Sequence, residues 1–174
     1  MKFSGIKIAI ARKRLSVLVE KVPQNSHGNG NIGVILSSEK EATLNLFQKL
    51  KENSPVKNTD WHFVICGKKK SENALFGYPV FTPFDLGWNG KLKNKEVTQF
   101  LERNYDVLIS FTEAENKLAR LLVSVARAEL KVGREEQNKG GDLYNLVIST
   151  NVDEPSTFIA ELKKYLKILN KTAV

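Results

Sequence analysis

Four short runs, NIGVILSS (31–38), WHFVIC (61–66), YDVLISF (105–111) and LYNLVIST (143–150), carry apolar residues on consecutive positions instead of alternating ones. A strand that is apolar on both faces must be covered on both, which is the mark of a strand buried in a parallel sheet. Between them lie helical patterns: EKEATLNLFQKLKENS, NKEVTQFLERN and ENKLARLLVSVARA, with EPSTFIAELKKYLKIL closing the chain. Strands that alternate with helices of this length imply right-handed βαβ crossovers. The expected fold is therefore α/β: three layers, with a mostly parallel sheet of about five strands flanked by helices. A short extended piece is expected at PVFTP (79–83) and a brief further strand at LKVG (130–133). At 174 residues the chain can bury a core of useful size as one domain.

Before the first strand runs MKFSGIKIAIARKRLSVLVEKV, in which Ile6, Ile10, Leu18 and Val22, joined by Val17, recur at helical spacing. This predicts a basic amphipathic helix over 1–22 with that face packed on something. Pro23 stops it, and PQNSHGNGN makes 23–31 a flexible link, leaving 32–174 as the α/β domain. Arg12, Lys13 and Arg14 interrupt the apolar stretch, so it is not expected to act as an export signal. The single cysteine, Cys66, suits a reducing, cytoplasmic setting, and no segment is apolar enough for a membrane span.

Charge is concentrated at the front. Residues 1–21 hold six bases (Lys2, Lys7, Arg12, Lys13, Arg14, Lys21) against Glu20, a net of +5 out of +8 for the whole chain. Lys7, Arg12, Lys13 and Arg14 are thus candidates for contact with RNA, a ribonucleoprotein or another anionic partner. The same residues also read as a solvated helix face, as a homodimer contact, or as an edge of the core.

The stretch YPVFTPFDLGWNGKLKNKEVTQFLERNYDVLISF, followed by KVG and by LVISTN and FIAELKKYLKILNK, resembles a family of small Bacteroidota proteins that carry a domain of unknown function. The resemblance covers essentially the whole chain and implies a soluble α/β fold without transferring any chemistry. YDVLISF, a helix and KVGR are also similar to one strand-helix-strand unit of heptosyltransferase-like sugar transferases, a likeness at the level of fold only.

Open parallel sheets bind ligands beyond the carboxyl ends of their strands, here the loops that begin at Ser37, Gly67, Thr82, Thr112 and Gly133. Lys68, Asp85, Trp88 and Lys91 are the candidates for a small anionic metabolite such as a nucleotide or sugar phosphate. Lys68 opens a Lys68-Lys69-Lys70 run, and Trp88 could stack on a ring that Asp85 and Lys91 hold. Bland readings stand beside these: Asn89-Gly90 as a turn, Asn94 as a helix cap, and Trp88 laid over a sheet edge. Asp85 with Glu113 could form an acid pair, or Glu113 could serve a first helical turn. His27 lies in the link and His62 inside a strand, neither at metal-pair spacing, so no metal, no cofactor and no catalytic residue is expected. A non-catalytic binding module is the leading expectation, and an enzyme or sensor for a small anionic metabolite is the alternative.

Overall fold

The computed structural model describes residues 5–24, 30–37, 40–68, 77–134 and 143–172. His27, Ser38, Lys69 and Lys70, named above, lie outside the described residues.

The chain folds as α1 (Gly5–Glu20), β1 (Asn31–Ser37), α2 (Glu41–Glu52), β2 (Asp60–Cys66), β3 (Val80–Phe81), α3 (Lys95–Leu101), β4 (Asn104–Phe111), α4 (Lys117–Val125), β5 (Arg127–Arg134), β6 (Leu146–Ile148) and α5 (Pro155–Thr172). Among the described residues the sheet has six strands in the order β3-β2-β1-β4-β5-β6, every neighbouring pair parallel. Six replaces the expected five because β3, only two residues long, still pairs with β2. The three layers follow from side-chain alternation. Ile35, Val64, Cys66 and Leu108 point to the face covered by α1, α3 and α4, whereas Val34, Ile65 and Ile109 point to the face covered by α2 and α5. In β1, Val34, Ile35 and Leu36 are all buried, as a doubly covered strand requires. Both edge strands are short, which leaves little unpaired backbone for association.

Several element boundaries differ from the sequence expectation. β5 begins at Arg127, three residues ahead of LKVG, because Arg127 and Ala128 pair with Asn104 and Tyr105; strand pairing there overrides a helix-favouring sequence. α4 starts at Lys117, the third residue of its helical pattern, with Asn116 as its cap, the side chain accepting from Ala119 N at 3.1 Å. α5 starts at Pro155, whose ring suits a first helical position, and Asp153 just before it pairs with Lys40. For α3 the expectation holds: the Asn94 side chain accepts from Glu96 N and Val97 N at 3.1 and 3.2 Å.

Candidate docking groove on the N-terminal helix

The carboxyl edge of the sheet is where a ligand would be sought, and its described polar groups are tied to one another. Between β1 and β4, where the strand order reverses, the Ser37 hydroxyl donates to Glu113 Oε1 at 3.1 Å. The Asn116 amide that caps α4 also donates to the Cys66 carbonyl at 3.1 Å, fastening the end of β2. Arg134 is fully buried; its guanidinium reaches the Thr112 carbonyl at 2.7 and 3.3 Å and the Thr150 carbonyl at 3.1 Å, with the Phe111 ring 5.5 Å away. These contacts hold the loops after β4 and β6 together.

The four candidates for a small ligand fall in different environments. Lys68 is exposed just beyond β2. Asp85 is buried at the end of a single 3₁₀ turn, Pro83–Asp85, and its carboxylate accepts from Thr82 N at 2.8 Å and from the Thr82 hydroxyl at 3.1 Å. Trp88 does not cover the sheet edge: it is 87% exposed at the tip of a small hairpin. That hairpin carries an antiparallel bridge between Leu86 and Leu92, with Gly87 N donating to the Lys91 carbonyl at 2.8 Å. Gly90 closes the loop at φ +76°, the left-handed glycine that ends a three-residue hairpin connection. Lys91, on the returning arm, faces α1 and not Asp85.

His62 and Cys66 are held inside the structure. His62 Nε2 lies 3.1 Å from Asn31 Oδ1, and burial, followed by the charge of Arg103, lowers its pKa. Burial alone pushes the Cys66 thiol far up, so little thiolate forms. Among the described residues no group of three His, Cys, Asp or Glu side chains could hold a metal, and no helix is long and apolar enough to cross a membrane.

The N-terminal helix is seated on the body. Ala11, Leu15 and Val19, four residues apart, are buried against the α3/α4 layer, while Ile6, Ile10 and Val17 stay exposed. The buried stripe is thus not the one the larger side chains suggested. Ala11 is small enough for the helix backbone to meet the hairpin at Gly90, and apolar residues on nearly every side of α1 leave periodicity unable to choose a face. The segment after α1 is also fixed: the Val22 carbonyl accepts from Arg127, and the Pro23 carbonyl accepts from the Asn104 amide at 3.0 Å.

This seating creates a groove of about 950 Å³ between α1, α3 and the hairpin. Ile10, Val17, Leu18 and Leu92 are among its apolar lining residues and Lys13, Arg14, Lys21 and Lys91 its basic ones, with Glu102 the one acid among the described residues of the lining. Arg12, Lys13 and Arg14 are exposed, whereas Lys7 is partly buried. Lys91 and two of the helix candidates, Lys13 and Arg14, therefore line one groove, whereas Lys7 and Arg12 are not in its lining. Lys21, which directly follows α1, and Leu92 were not singled out for it; only the tertiary fold brings Leu92 to the helix.

Neither the curated proteins nor the solved structures give a match. A family model does: it covers residues 6–169, from the first turns of α1 to the last turns of α5. The chain with this six-stranded sheet and seated N-terminal helix belongs to a family of unknown function, DUF6913.

Proposed function

We propose that the protein is a non-catalytic binding module that docks on a larger, negatively charged partner through the outer side of α1. One observation carries this reading: Arg12, Lys13 and Arg14 are all exposed on a helix whose Ala11, Leu15 and Val19 stripe is buried in the core. Cations held on a rigid element bind with less loss of conformational freedom than cations on a loose arm. Charge alone suits RNA or a ribonucleoprotein as well as an acidic protein. A homodimer through α1 has less support, because it would set like charges face to face.

The strand order β3-β2-β1-β4-β5-β6 supports a Rossmann-like reading of the sheet, and a small anionic metabolite at its carboxyl edge is the competing reading. It has less support, since the Asp85 carboxylate is engaged by Thr82 and Lys91 lies at the α1 groove. The lone buried Cys66 is in keeping with a cytoplasmic protein.

The test is affinity capture from native lysate, with and without nuclease, comparing wild type with a variant carrying Arg12→Gln, Lys13→Gln and Arg14→Gln. The expected result is a partner whose capture by wild type weakens steeply with salt and disappears with the variant. Equal capture by both proteins overturns the proposal.

A further inference from the structure

We infer that the groove between α1, α3 and the 85–93 hairpin takes an acidic amphipathic helix from a partner protein. This inference rests on the docking reading above and names the partner's class. The lining at Ile10, Val17 and Leu92 is apolar, so its occupant must present apolar side chains. The rim at Lys13, Arg14, Lys21 and Lys91 outnumbers Glu102, so that occupant must also carry acids beside its apolar stripe. Two turns of helix, about 10 Å across, fill on the order of 850 Å³, close to the space available. An apolar stripe flanked by charge is what an amphipathic helix offers to a groove.

Other occupants fit less well. Single-stranded RNA is held by aromatic platforms on which bases stack, and among the described residues no Phe, Tyr or Trp lines this groove. A bilayer surface would span the groove without entering it. A second copy of the chain would bring exposed apolar residues that also sit beside cations, Tyr165 and Ile168 with Lys164 and Lys167, and Phe84 and Trp88 with Lys91 and Lys93, against the four cations here.

The experiment selects binders for the full-length protein from a displayed library of random peptides, then measures each selected peptide by fluorescence anisotropy. The selected sequences should be net acidic, with apolar residues at i, i+3 or i+4, and i+7. Val17→Glu, a change at a half-exposed position, should weaken them by about tenfold or more by placing a carboxylate among the apolar lining residues. Lys91→Glu serves as the second variant if Val17→Glu alters the circular dichroism spectrum.

Selected peptides without an acidic excess, or with unchanged affinity for the folded variants, overturn the inference. Poly-uridine or phosphatidylglycerol vesicles that bind wild type and Val17→Glu equally assign α1 to RNA or membrane, and also overturn it. If Val17→Glu and Lys91→Glu leave capture of the lysate partner intact while the triple glutamine variant abolishes it, the groove inference fails and docking through α1 stands. If none of these variants changes capture, both fail.

Discussion

A Cβ atom placed on Gly90 would lie 2.8 Å from the backbone nitrogen of Ala11. Two backbones, one in the hairpin and one in α1, meet here with no side chain between them. Gly90 also needs φ +76° for the hairpin to turn, so the position excludes other residues on two grounds.

Gly90→Ala should therefore lower the unfolding free energy by about 2–4 kcal/mol, combining left-handed strain with overpacking against α1. Gly77→Ala is the control: Gly77 has φ +66° but nothing within 4 Å of its added Cβ, so only about 1–2 kcal/mol should be lost. Urea unfolding of the two variants measures the difference, which reports the contact with Ala11. Equal losses would mean that α1 does not press on the hairpin.

Leu15→Ala should cost about 2–5 kcal/mol, as for any well-buried leucine, because Leu15 sits under α1 in the core. Val17→Ala, two residues away on the exposed side, should stay within about 0.5 kcal/mol of wild type. Thermal unfolding of both decides between a seated helix and a loose arm. A loose arm would make both changes harmless, and removal of 1–22 would then spare the fold.

Asp85→Ala should destabilise by about 1–3 kcal/mol without any ligand present, since it leaves Thr82 N and the Thr82 hydroxyl without this acceptor in a buried turn. Asp85→Asn keeps one side-chain oxygen and should cost less. A lower denaturant midpoint at unchanged slope is the expected signature. Full stability in Asp85→Ala would return Asp85 to the pool of ligand candidates.

His62 makes stability depend on pH in a defined direction. Burial, then the charge of Arg103, lowers its folded pKa from the ordinary 6.5, so the unfolded chain takes up the proton first. Stability should fall as pH drops below 6.5 and level off once the folded pKa is passed. His62→Gln should lose that part of the acid dependence, measured as melting temperature against pH. An identical profile in the variant would place the titration elsewhere.

The sheet was legible in the sequence because a strand buried on both faces has no room for alternation, and NIGVILS and YDVLISF show none. Asn94 was legible as a cap because a helix start asks for a short side-chain acceptor at that position. The face of α1 was not. Apolar residues occur on most sides of that helix, and its buried stripe was chosen by a small residue, Ala11, whose partner Gly90 lies far along the chain. Asp85 illustrates the other limit: an acid after a strand looks the same in sequence whether its carboxylate turns out to a ligand or back onto Thr82.

The seating of α1 sets a segment made early against a platform made much later. At about 5–20 residues per second, roughly 4–16 s separate the synthesis of Ala11 from that of Gly90, and α4 is made later still. Through that interval Ala11, Leu15 and Val19 wait as an apolar stripe beside a cluster of cations near the ribosome. A helix translated before the whole sheet is thus among the last of these elements to reach its native place, and α1 stays unseated until the hairpin and α4 have been made.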